Sequence, residues 1–170
     1  LMQKRRMELF GPAVDATGDI LGHLLGTGSA SLVFQNLLDN SQAVKVSRYG
    51  GTRDIKNEVS ILNKLKGKGS HPGIPKLIKH FDLGVTFRDW KRKCPACIIG
   101  PVGNGLLRVC SEKMESEMYS WLLLVLKNLQ SALTFMHQHH IFHRDVNPKN
   151  AIIVSESDGV HRAVLIDYSI

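Results

Sequence analysis

The run His143-Arg144-Asp145-Val146-Asn147-Pro148-Lys149-Asn150 constrains the fold of this 170-residue chain more than any other feature. It follows the strongest helical pattern in the chain, at 117–138, and precedes two apolar segments at 151–154 and 163–166. The sequence therefore predicts a long amphipathic helix, a polar loop and a strand hairpin. The predicted core stripe of the helix repeats at intervals of three and four residues and comprises Leu122, Val125, Leu126, Leu129, Leu133 and Met136.

The polar side chains of this loop fit the chemistry of phosphoryl transfer. Such a transfer requires a carboxylate that accepts the proton of the attacking hydroxyl, and Asp145 can serve as this base. Magnesium is a hard cation that prefers oxygen ligands, and Asn150 and Asp167 can supply them from the two ends of one hairpin. Eight such residues with these flanks would rarely occur together by chance.

A glycine-containing loop lies between two predicted strands near the start of the chain. Short apolar runs at 20–25, 32–34 and 43–46 predict three strands, and the first two are joined by Gly26-Thr27-Gly28-Ser29. Glycines let backbone N–H groups approach phosphate oxygens without an obstructing Cβ. Taken alone, this loop is better explained as a plain hairpin turn.

A lysine and a glutamate extend the same argument. Lys45 lies on the third predicted strand, and a carboxylate such as Glu58 could hold its long side chain toward a phosphate. Glu58 belongs to a predicted helix over 52–66, with Thr52 as its N-cap and Gly67 as its stop. A surface position for Glu58 is the alternative. The apolar stripe of this helix comprises Ile55, Val59, Leu62 and Leu65.

Together these motifs resemble the eukaryotic protein kinase superfamily over roughly residues 19–167. The segments 98–103 and 143–148 resemble a fungal-type kinase family in particular. The resemblance implies an α+β, two-lobed protein-kinase-like fold with a cleft between the lobes. An N-terminal antiparallel β-sheet lobe with the αC helix would occupy 19–100, after a lead-in segment at 1–18. The hinge and the first part of the mainly helical lobe would occupy 101–170.

The resemblance also implies ATP and Mg²⁺ as cofactors and assigns a role to each matching residue. Asp145 would be the base, Lys149 a cation near the transferred phosphate, and Asn150 and Asp167 the metal ligands. Lys45, held by Glu58, would contact the phosphates of ATP. The remaining nucleotide-binding residues would be Gly26, Thr27, Gly28, Ser29 and Ser31 over the phosphates, Val33 and Ala43 at the adenine, and Ile99 and Val102 in the hinge.

Three departures from the family pattern bear on activity. Asn147 stands where Ser/Thr kinases usually place a lysine, and the metal motif reads Asp167-Tyr168-Ser169 rather than Asp-Phe-Gly. The chain stops at Ile170, which predicts an exposed apolar face on the long helix, so that these residues alone are poorly soluble or need a partner that covers this face. The leading hypothesis is a protein kinase acting on Ser or Thr hydroxyls. A pseudokinase scaffold and a small-molecule kinase of the aminoglycoside or choline type are the alternatives.

Composition narrows the remaining choices. The net charge is +7, but the Lys and Arg residues are spread without interleaved aromatics, so nucleic acid is a less favoured partner. Three cysteines indicate a reducing, cytoplasmic compartment, with a nuclear location as the alternative, and no membrane span is predicted. Cys94-Pro95-Ala96-Cys97 reads as a tight hairpin turn or as half a zinc site. His137, His139 and His140 are predicted to place favourable positive charge at the C-terminus of the long helix, and metal binding is the alternative.

Overall fold

The computed structural model describes residues 14–15, 20–48, 53–87, 90–156 and 161–168. They form two compact units, and the chain passes between them inside a helix at Val59 and again at Lys76 and Gly100. The mixture of an antiparallel sheet and helices confirms the predicted α+β class. Within these residues, no helix is long and apolar enough to cross a membrane.

The first unit is built on a six-stranded sheet. The strands are β1 (Val14–Asp15), β2 (Leu21–Thr27), β3 (Ser31–Asn36), β4 (Ala43–Ser47), β5 (Lys76–Phe87) and β6 (Trp90–Gly100). Their order in the sheet is β1-β5-β6-β4-β3-β2. The strands β3 and β4 pair antiparallel with Val33 opposite Lys45, and β4 and β6 pair antiparallel with Lys45 opposite Cys97.

One face of this sheet carries the apolar core of the first unit. Alternate residues of a strand point to the same face, so Leu32 and Phe34 on β3 pack beside Val44 and Val46 on β4. Leu21, Leu83, Cys94 and Ala96 complete this core. The other face of β3 and β4 is left for Val33, Ala43 and Lys45.

The predicted hairpin turn at Cys94–Cys97 is wrong. These residues lie inside β6, where Ala96 to Ile99 pair with Val46 to Ala43 of β4. Pro95 lies just before the first of these paired residues. Sheet pairing overrides the local turn preference of the sequence. The described part of the chain also contains no cluster of three His, Cys, Asp or Glu side chains that could hold a metal.

The helix α1 (Arg53–Lys66) begins within one residue of the prediction. Thr52 lies outside the described residues, whereas Gly67 ends the helix as expected and donates its N–H to the Asn63 carbonyl. The buried stripe includes Ile55, Leu62 and Leu65, and it also includes Glu58. The surface alternative for Glu58 is therefore wrong.

Among the described residues, the second unit contains the end of α1, two complete helices and a three-stranded sheet. The helices are α2 (Leu106–Glu112) and α3 (Glu115–Gln138), and a 3₁₀ turn spans Pro148–Asn150. The strands β7 (Asn104–Gly105), β8 (Ala151–Ser155) and β9 (His161–Leu165) pair in that order. The core joins α3 to this sheet and comprises Leu106, Trp121, Val125, Ala151, Ile153 and Ala163.

The helix α3 confirms the long helix but corrects its stripe. It begins at Glu115, two residues before the predicted start. Its buried residues are Trp121, Val125, Ala132 and Met136, whereas Leu126 is 59% exposed. The 3.6-residue helical repeat places Leu126 away from the sheet, so its apolar character wrongly predicted a buried position. Neither α2 nor β7 was predicted, because seven and two residues are too short to show a period.

Candidate functional site

In the first unit, predicted nucleotide-binding residues from three strands lie in one row across the sheet. Gly26 pairs with Val33, Val33 pairs with Lys45, and Lys45 pairs with Cys97. Directly opposed residues of antiparallel strands point to the same face. The register therefore places Val33 and Lys45 side by side on the face opposite the apolar core.

Ala43 belongs to the same face, because it lies two residues before Lys45 on β4. It is buried and pairs with Ile99 at the end of β6. Val102 follows in a stretch without regular structure and is half-buried. The register therefore places Val33, Ala43 and Ile99 on the same face as Lys45, and the binding of adenine at this face stays a prediction.

The glycine-containing loop is a tight hairpin between β2 and β3. The Gly28 N–H donates to the Ser31 carbonyl oxygen at 2.8 Å, which places Ser29 and Ala30 at the tip. A Cβ added at Gly26 would meet no atom within 4 Å, and one at Gly28 would make only ordinary contacts. Packing within the described chain therefore does not require glycine at either position. Thr27 and Ser29 are exposed, whereas Ser31 is buried.

Lys45 and Glu58 form a buried ion pair. Lys45 Nζ lies 2.6 Å from Glu58 Oε2, and the two side chains are only 7% and 1% exposed. In the low dielectric of such a position the attraction is stronger than in water, but each charge has lost its hydration. Among the described residues no donor reaches Glu58 Oε1. Glu58 thus holds Lys45 through its Oε2 atom at a defined place on the sheet.

Cys97 lies beside this ion pair and was not recognised as a neighbour from the sequence. Burial raises the pKa of its thiol to about 12, with the Glu58 charge adding to the effect and Lys45 opposing it. The thiol stays neutral at ordinary pH and behaves as a small apolar side chain. Its part in the site is to fill space next to Lys45.

In the second unit, two amide side chains hold the carboxylate of Asp145. Asn150 Nδ2 donates to Asp145 Oδ2 at 2.7 Å and to its carbonyl oxygen at 2.9 Å. Asn147 Nδ2 donates to Asp145 Oδ1 at 2.9 Å. An ionised carboxylate has about four lone-pair positions, so capacity remains to accept a further proton. Asp145 itself is exposed, and a hydroxyl can reach it.

The β8–β9 hairpin brings Asn150 and Asp167 to the same end of the small sheet. Asn150 comes immediately before β8 and Asp167 two residues after β9, and the Ile166 N–H donates to the Asn150 carbonyl at 2.8 Å. The amide nitrogen of Asn150 is turned toward Asp145, and its Oδ1 receives no hydrogen bond from the described residues. An amide oxygen and a carboxylate are a donor set that suits Mg²⁺.

His143 fixes the loop to the segment that carries Asp167. It is buried, its Nδ1 accepts the Asp145 N–H at 3.3 Å, and its Nε2 lies 2.9 Å from the Ile166 carbonyl. These partners require a neutral ring with the proton on Nε2. The ring of Tyr168 packs against His143 at 4.9 Å, and its hydroxyl donates to the Leu165 carbonyl. Ser169 lies outside the described residues.

Two residues of this site have left-handed backbone conformations that L residues rarely adopt. Arg144 has a φ of 66° and Asp167 a φ of 68°. Each such conformation costs on the order of 1 kcal/mol, which the surrounding contacts must offset. Strain of this kind concentrates at functional sites, and here it lies on both sides of the His143 anchor.

The remaining predicted residues have simpler surroundings. Lys149 is exposed, and its ammonium forms no ion pair with the described side chains. His139 packs edge-on against Phe135, and His137 packs against Phe142. These contacts agree with a structural role at the end of α3. Trp121 is buried in the core of the second unit, whereas the side chain of Trp90 lies outside the described residues.

Comparison with known families defines the class of protein. The sequence-family model of the protein kinase domain matches residues 20–170, which is nearly the whole chain. The chain belongs to the protein kinase domain family. The sequence-based resemblance to protein kinases is therefore confirmed, and the fold described above is the one expected of this family.

Individual relatives are distant. The chain is 28% identical over 160 residues to serine/threonine-protein kinase DCLK1 of Rattus norvegicus, which covers 88% of this chain and 34% of that protein. It is 26% identical over 132 residues to myosin light chain kinase 3 of the same species, covering 76% of this chain and 15% of the relative. Dual specificity protein kinase TTK of Mus musculus is 28% identical over 154 residues, covering 86% and 16%. The chain thus spans about a third or less of these relatives.

Proposed function

We propose that the chain transfers the γ-phosphate of ATP to a Ser or Thr hydroxyl of a protein substrate. The single observation that carries this proposal is the arrangement around Asp145, whose two carboxylate oxygens are each held by an amide while the group stays exposed. Asp145 would accept the proton of the attacking hydroxyl as the new O–P bond forms and ADP leaves. Kinases among the distant relatives support the Ser/Thr class of substrate.

The other residues would bind and orient the reactants. Backbone N–H groups near Gly26 and Gly28 and the Lys45 ammonium would bind phosphate oxygens, with Glu58 holding Lys45 in place. Val33, Ala43, Ile99 and Val102 would contact the adenine. Asn150 Oδ1 and Asp167 would hold Mg²⁺, which neutralises the charge of the phosphates when bound. Lys149 would stabilise the charge that develops on the transferred group.

A pseudokinase that binds nucleotide without turnover is the second candidate. Asn147 in place of the usual lysine favours it, because the loop then carries one cation fewer than Ser/Thr kinases. The exposed apolar side chains of α3, among them Leu123 and Leu126, favour a protein partner on that helix in either case.

Nucleotide binding and turnover can be tested together. ATP with Mg²⁺ at 100 times its dissociation constant should raise the free energy of unfolding by about 2.7 kcal/mol, seen as a higher melting temperature. The Asp167→Asn variant should lose most of this shift, because a metal ligand is removed. Transfer of labelled γ-phosphate to casein should accompany the shift. A shift without transfer would support the pseudokinase, and no shift in the unaltered protein would contradict both candidates.

The glycine loop offers a second test that separates binding from folding. A Gly26→Ala Cβ meets no protein atom, so the variant should keep the melting temperature while its ATP affinity falls roughly tenfold, about 1.4 kcal/mol. Gly22→Ala on the same strand is the contrast, because its Cβ would lie 2.9 Å from the Gln35 carbonyl oxygen. Gly22→Ala should therefore lower stability. Unchanged ATP affinity in Gly26→Ala, measured by calorimetry, would remove the loop from the nucleotide site.

A further inference from the structure

Asn147 stands where a lysine is common in Ser/Thr kinases, and its side chain is fully engaged. Its Nδ2 donates to Asp145 Oδ1 at 2.9 Å and to the Asp145 carbonyl oxygen at 3.3 Å. Its Oδ1 accepts the backbone N–H of Lys149 at 2.9 Å and so caps the 3₁₀ turn Pro148–Asn150. One side chain therefore connects the exposed carboxylate to the turn that carries Lys149 and Asn150.

A single restraint would leave this carboxylate free to rotate. The last side-chain torsion of an aspartate has a broad energy well, so an exposed carboxylate samples many orientations. Asn150 holds Asp145 Oδ2 at 2.7 Å, and Asn147 holds Oδ1 from a second direction. Two donors on two different oxygens define the plane of the group as well as its position.

A lysine could not reproduce this arrangement. An ammonium has three donors and no acceptor, so it could bind Asp145 but could not accept the Lys149 N–H. Asparagine supplies both the donor and the acceptor, but it supplies no charge. The side-chain cation after the base is therefore left to Lys149, whose backbone the same asparagine holds.

We infer that Asn147 is a positioning residue for phosphoryl transfer, which orients the Asp145 carboxylate and fixes the turn bearing Lys149 and Asn150. The inference rests on the proposed function. It also changes the interpretation of the missing lysine, which favoured a pseudokinase above. Asn147 is a replacement that keeps the loop ordered by hydrogen bonds. It does not by itself indicate an inactive protein.

Two variants remove the hydrogen bond that Asn147 donates to Asp145 and keep an acceptor for the Lys149 N–H. Asn147→Asp keeps an acceptor for the Lys149 N–H but places a negative charge where the donor was. Asn147→Ser also keeps an acceptor, but its side chain is one atom shorter and does not extend to Asp145 Oδ1. Because misplacing a reacting group by about 1 Å can cost roughly 100-fold, kcat should fall about tenfold in Asn147→Ser and about 100-fold in Asn147→Asp. The KM for ATP should stay unchanged in both, and the melting temperature should fall only slightly, as expected for the loss of one exposed hydrogen bond.

Asn36 provides a matched control in the other compact unit. Its Oδ1 accepts the N–H of Leu38, two residues ahead, and its Nδ2 donates to Gln42 Oε1, both at 3.1 Å. The bonding pattern is the same as that of Asn147, but Asn36 lies outside the proposed site. Asn36→Ser should change only the melting temperature and leave kcat unchanged.

The measurement is transfer of labelled γ-phosphate to casein, with calorimetric ATP affinity and melting temperature for each variant. Wild-type kcat in both Asn147 variants would overturn the inference. A loss of kcat that comes with a large fall in melting temperature would overturn it too, since Asn147 would then serve only the fold. An equal fold loss of ATP affinity would have the same meaning. Absence of transfer in the unaltered protein, with normal ATP binding, would instead overturn the proposed function and take this inference with it.

Discussion

Replacing Asp145 by Asn is expected to reduce phosphate transfer about 10²- to 10⁴-fold without weakening ATP binding. An amide cannot take up the proton of the attacking hydroxyl, and general-base catalysis is worth a factor of that size. The adenine and phosphate contacts are assigned to other residues, so ATP affinity should persist. Single-turnover transfer of labelled phosphate and calorimetric titration with ATP give the two quantities.

The same substitution also has a structural effect that must be measured. Asn147 and Asn150 both donate to the Asp145 carboxylate, and an asparagine there has only one acceptor oxygen. One of the two amide donors therefore loses its acceptor, and a small drop in melting temperature is expected. A variant with normal transfer would show that Asp145 is not the base.

Asp39 supplies the matched control for this substitution. Hydrogen bonds from the side chain and the backbone of Ser41 hold the pKa of Asp39 below its ordinary value. Asp39→Asn removes a hydrogen-bonded carboxylate of the same kind from the turn between β3 and β4. We expect it to weaken that turn while phosphate transfer stays at the wild-type level.

The second large effect concerns the buried ion pair. Lys45→Met removes the only ion-pair partner of Glu58 among the described residues and leaves a buried carboxylate uncompensated. Breaking such a pair typically costs about 3–5 kcal/mol, so the free energy of unfolding should fall by that amount. Urea denaturation gives this value, and ATP binding should be lost as well because Lys45 is assigned to the phosphates.

A double variant separates the two consequences of losing Lys45. Lys45→Met with Glu58→Leu removes both charges of this pair, and apolar replacement of a whole buried pair is often neutral or stabilising. The double variant should therefore recover most of the lost stability but none of the ATP binding. Recovery of both would mean that Lys45 does not contact the nucleotide.

The surface pair Arg108–Glu112 calibrates this measurement. It spans one helical turn of α2, and its side chains are 71% and 59% exposed. Exposed pairs of this kind contribute about 0.3–0.5 kcal/mol, so Arg108→Met should barely change the free energy of unfolding. Similar losses in Arg108→Met and Lys45→Met would contradict the assigned importance of burial.

Much of the fold was predictable because its signals are local. Short apolar runs and turn residues located β2, β3 and β4, and helical spacing located α1 and α3 to within two residues. Errors arose where distant pairing overrides local preference. Cys94–Cys97 has the composition of a turn but pairs with β4, and Leu126 has the composition of a core residue but faces away from β9.

The loop around Asp145 contains both features that the sequence predicts and features that only the tertiary structure reveals. The sequence by itself determined the kinase class and predicted a base and two metal ligands, because residue types at fixed spacing carry that information. Only the tertiary structure decided that Glu58 is buried beside Lys45 and that Asn147 and Asn150 hold Asp145 from two directions. Whether side chains on different elements meet, and which atom of an amide points where, depends on packing and register, which no short sequence pattern records.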